Sequence, residues 1–318
     1  MEQPLYINST FIEENTDFTE LVENLKNAFA SKAVLIPQRH HHDFPNPKTD
    51  KDTTLLLMPA WNPGKEAGVK VVTVNPGNDT YGLPSIQGSY LYMDAVTGTL
   101  KAVMEAKSLT AKRTAAASAL ASFYLSRKDA SSLLMIGTGA LSINLIKAHS
   151  AIRPMKKVYV WGRNLEKATE ICSILSNEDF QIEPLSNIEE KIAEVDIVSC
   201  ATLSEKPLVF GDYLVPGQHI DLVGAYKPNM READNEAIKR AAIFLDSFEG
   251  GLKESGDIAI PIKEGVLEAS DIKADLFGLC SGKHSGRNNK DEITLFKSVG
   301  HALEDLIAAT YYYSKFEK

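Results

Sequence analysis

Three cations stand where a charge needs a reason. Lys70 lies in the middle of the apolar run GVKVVTV, Arg39 follows Pro37 in a turn, and Arg113 stands near the start of a long alanine-rich segment. A lysine among apolar neighbours is expensive unless an anion meets it. Two guanidinium groups and an ammonium converging on one pocket would grip a carboxylate, the arginines bidentately. From spacing alone, the three could equally be separate salt-bridged or snorkelling surface residues. His40-His41-His42 resembles a metal tract. Consecutive side chains of an extended segment alternate faces, however, so a solvated loop without metal is expected. Asp221, in HIDLVG, is either a buried acid or a structural group, and Ser298, in FKSVG, is either a helix cap or a substrate-side hydroxyl.

A second set of residues is local. In LLMIGTGALS (133–142) an apolar run stops at Gly137-Thr138-Gly139 and a helical pattern begins. A strand that turns through glycines into a helix presents free backbone N–H groups, here from Gly137, Gly139, Ala140 and Leu141, to a diphosphate. Ser142 stands where a third glycine would be, and a small residue there still permits close helix–strand packing. About 20 residues on, where an NAD site keeps an acid for the ribose, the run VYVW ends in Gly162-Arg163-Asn164. An arginine in that place suits a 2′-phosphate. The expectation is a Rossmann domain that prefers NADPH, with NADH as the alternative. Thr202 ends the run DIVSCATLS, where ligands of such folds sit. The competing readings are a strand–helix turn of another α/β fold and, for Arg163, a solvated surface arginine.

The surrounding pattern says what must position these groups. Residues 20–30 read as a helix, and 55–59, 68–74, 88–94 and 100–105 as strands separated by turns such as Asn62-Pro63-Gly64 and Thr97-Gly98. Strands without intervening helices point to an antiparallel or mixed sheet. Residues 110–127 form a long helix leading into the glycine loop, after which strands and helices alternate. The segment 291–313 reads as mostly helix, interrupted at Gly300 and returning to the N-terminal sheet. The fold class is therefore α/β, a dinucleotide-binding Rossmann domain (113–294) inserted in an α+β domain (1–112 plus 295–318).

With 318 residues, 44% hydrophobic and 24% charged, two ordinary domains fit. A net charge of −8 argues against a nucleic-acid surface. The cysteines Cys172, Cys200 and Cys280 lack metal-ligand spacing and read as buried groups in a reducing compartment. No apolar run reaches the ~18 residues of a membrane span and no secretion signal is seen, so a cytoplasmic protein is expected.

GVKVVTVNPGN (68–78), GLPSIQG (82–88), LTAKRTAAASALAS (109–122), the glycine loop, VYVWGRN, VGAYKPNMRE (223–232) and TLFKSVGHALEDL (294–306) follow one another in a characteristic order. Together they resemble the ornithine cyclodeaminase/mu-crystallin family over nearly the whole chain. The resemblance implies a homodimer whose N-terminal substrate and dimerisation domain is completed by the C-terminal helix. It implies that Arg39, Lys70 and Arg113 hold the substrate carboxylate, with Met58 and Tyr226 on the substrate side. Thr114, Asn164, Thr202 and Ser298 join the glycine loop and Arg163 at the cofactor.

One departure is informative. The family's cyclodeaminases and alanine dehydrogenases carry an aspartate where this chain has Tyr226, and that acid handles the substrate amine. A phenol, with an ordinary pKa near 10, is no substitute for a carboxylate base at neutral pH. The chain is thus more similar to the family's ketimine reductases. The expected reaction is NADPH-dependent reduction of a cyclic imine 2-carboxylate, Δ1-pyrroline-2-carboxylate to L-proline, or its six-membered homologue. The alternatives are an ornithine cyclodeaminase using catalytic NAD and a non-enzymatic binder of small acids.

Overall fold

The computed structural model describes residues 3–49 and 51–318. In chain order its elements are β1 (Leu5–Ile7), α1 (Ser9–Glu14), α2 (Phe18–Ser31), β2 (His40–Asn46), β3 (Lys51–Asn62), β4 (Glu66–Val74), β5 (Ile86–Asp94), β6 (Leu100–Glu105) and α3 (Ala106–Leu125). There follow β7 (Ser132–Ile136), α4 (Ser142–Ile152), β8 (Lys157–Trp161), α5 (Leu165–Ile174), β9 (Gln181–Leu185), β10 (Ile197–Cys200), β11 (His219–Leu222), α6 (Asn235–Arg240) and β12 (Ala241–Leu245). The last are α7 (Phe248–Gly251), α8 (Gly256–Lys263), β13 (Ala274–Asp275), α9 (Leu276–Cys280), β14 (Ile293–Lys297) and α10 (Ala302–Phe316).

These elements form two compact units. The first comprises residues up to Asp17, Ser31–Arg113 and Ala302–Lys318, and the second Phe18–Ala30 and Thr114–His301. The first unit is a mixed six-stranded sheet in the order β1-β6-β5-β4-β3-β2. Only the β1–β6 pair is parallel; the others are antiparallel, as the short turns require. Helix α10 packs on β3, β4 and β5. Alternation then buries one set of side chains, among them Met58, Ala60, Lys70, Tyr90, Tyr92, Ala102 and Met104.

The histidine tract is strand, not loop. His40, His41 and His42 begin β2 and pair with Leu57, Leu56 and Leu55 of β3. The tract has no apolar alternation of its own, so its pairing comes from its neighbour rather than from its side chains.

The second unit is an eight-stranded parallel sheet in the order β13-β12-β14-β11-β10-β7-β8-β9. Chain order reverses between β7 and β10, which makes the carboxyl ends of those two strands the switch point where ligands of such sheets bind. The mixed α/β class with a Rossmann-type sheet is the one expected. The segment after 291 requires a correction: its first part is not helix. β14 lies between β11 and β12, and all five of its residues are buried. A strand covered on both faces reads as a continuous apolar run, which periodicity does not separate from a buried helix. Helix begins only at Ala302, after Gly300 at φ 86°.

Candidate functional site

The second unit's switch point is an open cavity of about 510 Å³. It is lined by Gly137, Thr138 and Gly139 after β7, by Trp161, Gly162, Arg163, Asn164 and Lys167 at the β8–α5 turn, and by Ala201–Ser204 and Leu208 after β10. Two glycines are needed for its shape. Gly137 has φ 122°, and a Cβ there would lie 2.6 Å from the Ala201 carbonyl oxygen. A Cβ on Gly224 would lie 2.0 Å from the Thr202 carbonyl oxygen, so the loops after β10 and β11 approach only because Gly224 carries no side chain. Ser142, in the third glycine's place, is fully buried and donates from Oγ to the Gly137 carbonyl oxygen at 2.8 Å. The hydroxyl thus ties the loop to the start of α4.

The expected cofactor residues distribute unevenly. Gly137, Gly139, Arg163, Asn164 and Thr202 line the cavity; Ala140, Leu141, Thr114 and Ser298 are not among its walls. Asn164 also caps α5, accepting at Oδ1 from the Glu166 and Lys167 N–H groups at 2.8 and 3.4 Å. Ser298 donates instead to Asp246 at 3.3 Å, an acid that also accepts from the Val299 and Gly300 N–H groups. Tyr226 is exposed, with the Lys227 ammonium 5.7 Å from its ring centre. None of the cavity-lining residues is acidic, and two, Arg163 and Lys167, are cationic. A glycine cradle at the sheet's switch point fits a nicotinamide dinucleotide, whose diphosphate would lie against the backbone of the β7–α4 turn.

Behind the cavity stands a buried acid that local sequence reading missed. Glu232 accepts from the Thr202 N–H and hydroxyl at 2.7 and 2.9 Å, and from the Gly224 and Ala225 N–H groups at 2.8 and 3.2 Å. It thereby fastens the cavity loop after β10 to the loop after β11. Lys297, 3.0 Å from Asp257 and 3.8 Å from Glu232, compensates these acids within the core. Burial pushes the Glu232 carboxyl up and Lys297 opposes it. Asp221 is likewise structural, accepting from Ser199 at 2.7 Å beside His149 at 3.2 Å.

In the first unit, Lys70 and Arg113 do converge, and they do so on acids. Lys70 Nζ lies 2.9 Å from both Asp305 oxygens, with the Thr110 hydroxyl at 3.4 Å. Arg113 Nε is 2.9 Å from Asp305, and its Nη1 donates to Glu304 at 2.6 Å. All four side chains are buried. Arg39, just before β2, acts on both Lys70 and Asp305 through its charge. Met58 is the cross-strand partner of Lys70. Burial drives the Lys70 amine down to about 8; Asp305 opposes the fall, and Arg113 and Arg39 deepen it. Burial would raise the Asp305 carboxyl, but Arg113 and then Lys70 outweigh it and hold it below its ordinary value.

Lys70 and Arg113 are balanced by Asp305 and Glu304, and Arg39, half-buried, adds its charge beside them. Lys70 and Arg113 without these acids would have been prohibitive to bury. Asp305, engaged by two cations and stabilised as the anion, is a poor base for an amine. In HALEDLIAA two adjacent charges interrupt an apolar helix, a signal that marks the acid pair without saying what it meets.

The comparisons with known proteins agree with this geometry. The model of the ornithine cyclodeaminase/mu-crystallin family matches residues 4–318. A Δ1-pyrroline-2-carboxylate reductase of Colwellia psychrerythraea is 35% identical, covering 95% of this chain and 96% of the relative. Among solved structures, the Δ1-pyrroline-2-carboxylate reductase of Thermococcus litoralis, in complex with NADH and L-proline, superposes with a TM-score of 0.89 at 34% identity, covering 98% and 97% of the two chains. An archaeal alanine dehydrogenase dimer with bound NAD gives 0.88 at 28% identity, covering 98% and 95%. The chain belongs to the ornithine cyclodeaminase/mu-crystallin family.

Proposed function

We propose that this chain is an NAD(P)H-dependent oxidoreductase acting on C=N bonds, reducing Δ1-pyrroline-2-carboxylate to L-proline with NADPH as the preferred cofactor. The observation that carries the reading is the buried cluster, in which Lys70 and Arg113 meet on Asp305 with Arg39 near enough to act on both, a set of cations that suits a monoanionic ring acid. When bound, the nicotinamide supplies the hydride. The chain's own groups do the rest: Arg39 and Arg113 fix the carboxylate, and Lys70 holds a proton for the imine nitrogen. Orientation of this kind removes several kcal/mol from a barrier, about 7 or more in favourable intramolecular cases.

The NADPH preference is supported by Arg163 and Lys167 beside the cavity and by the lack of an acid among its walls. The Thermococcus litoralis enzyme was solved with NADH, so the preference belongs to these side chains rather than to the fold. Oxidation of NADPH on addition of the five-membered imine acid tests the reading. Release of ammonia and proline from ornithine with catalytic NAD would replace it by cyclodeamination.

The reading extends to a homodimer. On the sheet face away from α10, Tyr6, Val103, Leu91, Val69 and Pro59 form one cross-strand row, none of them buried. An apolar belt across five strands calls for a cover, and a second copy of the chain meets that need, in line with the dimer of the archaeal relative. Three free cysteines accord with a cytoplasmic setting. No helix of the described residues is long and apolar enough to cross a membrane.

A further inference from the structure

We propose that Asp305 is a positioning residue that holds Lys70 in place as the proton donor to the imine nitrogen. The inference rests on the imine-reduction reading and names the device that makes it work. A lysine ends in a compact charge on a flexible four-carbon stem, so a fixed direction must come from its surroundings. Asp305 supplies it by presenting both oxygens at 2.9 Å, while Arg113 Nε anchors the same carboxylate, 2.9 Å from Oδ1.

The other groups around the ammonium do not compete. Thr110 on α3 stands at 3.4 Å, Met58 on β3 is apolar, and Arg39 repels. Glu304, adjacent on α10, is bound to Arg113 instead. Tyr90 faces Lys70 across β4 and β5, but its buried hydroxyl bonds neither Lys70 nor Asp305. Burial and the Asp305 oxygens pull the amine in opposite directions and leave it near neutrality, where a donor is most effective.

In the step itself, the imine carbon receives the hydride and the imine nitrogen receives the Lys70 proton. One C–H and one N–H bond form, the C=N π bond is lost and the nicotinamide is oxidised. The Lys70 amine is left neutral and regains its proton from water.

The test is the alkaline limb of kcat/KM with NADPH and Δ1-pyrroline-2-carboxylate, where Lys70 loses its proton. Removing a carboxylate next to an ammonium destabilises the charged form, so Asp305→Asn should move the limb to lower pH by about one unit or more. Asp305→Glu should restore it. Glu304→Gln, which removes an equal charge beside Arg113, should raise KM and leave the limb in place. A ¹³C lysine NMR titration of the cofactor-free protein, assigned with Lys70→Met, reads the same group without turnover. It should show Lys70 titrating with the wild-type limb and following it in Asp305→Asn. A Lys70 signal that titrates away from the wild-type limb overturns the proposal, even if Asp305→Asn fails to fold. So does a limb that stays put in a folded Asp305→Asn. Absence of any imine reduction by the wild-type protein would instead strike the functional reading, leaving the NMR shift to judge the Asp305–Lys70 coupling.

Discussion

The cofactor cavity and the charge cluster are built in opposite ways. The cavity's walls come mostly from short stretches, 137–139, 161–167 and 201–208, and its cations Arg163 and Lys167 stay exposed. The cluster gathers residues 39, 70, 113, 304 and 305 from the length of the chain and buries four of them. An open cation site tolerates the loss of its ligand, because water screens it. A buried one must carry its own counter-charges, and the acids that let it fold also decide how much charge remains for a substrate. The first unit is thus tuned by charge balance and the second by backbone shape.

The largest expected effect breaks the charge balance. Lys70→Met should lower kcat/KM for the imine acid by about 10³-fold or more, since it removes the proton donor and leaves Asp305 with one counter-charge fewer. NADPH affinity, measured by fluorescence titration, should stay within about twofold, because Lys70 contributes nothing to the cavity in the second unit. Loss of cofactor binding would merge the two regions that the comparison separates.

Next in size is the exposed cation. Arg163→Asp should lower the NADPH/NADH ratio of kcat/KM by about 10²-fold, by losing a phosphate partner and adding repulsion. An unchanged ratio would leave the preference to Lys167 or abolish it.

The smallest effect lies in the second unit's core. Burial lowers the His219 ring to about 3, so the unfolded chain binds a proton near pH 6.5 that the folded chain refuses until about 3. Stability contributed by keeping this ring neutral is present above the unfolded pKa and lost as pH falls through that window. His219→Gln should remove about 1.4 kcal/mol per pH unit of that dependence, as read by urea unfolding between about pH 6 and 4. The same slope in both proteins would show that the ring does not titrate on unfolding.

The two regions also differ in how far they could be read from residue order. The glycine loop, the β8 end and Arg163 were legible because strand, turn and helix signals are contiguous there. So was the mixed sheet, whose strands alternate between turns. Asp305 and Glu304 were not, because their meaning depends on Lys70 and Arg113 lying against the same helix. β14 was misread because a doubly covered strand has no alternation to display. Ala140 and Leu141, expected from the glycine turn, and Thr114 and Ser298, from the resemblance, are not among the cavity's walls. For Ser298 the reason is visible, since Asp246 takes its hydroxyl.

The central claim is that the cations of the first unit, Arg39, Lys70 and Arg113, select a ring carrying a carboxylate. The most direct measurement compares kcat/KM, with NADPH, for Δ1-pyrroline-2-carboxylate and for the same ring without its carboxylate. The account predicts a loss of about 10³-fold for the ring lacking the acid, the cost of losing its charge-assisted contacts to these cations. Comparable rates for the two rings would contradict it.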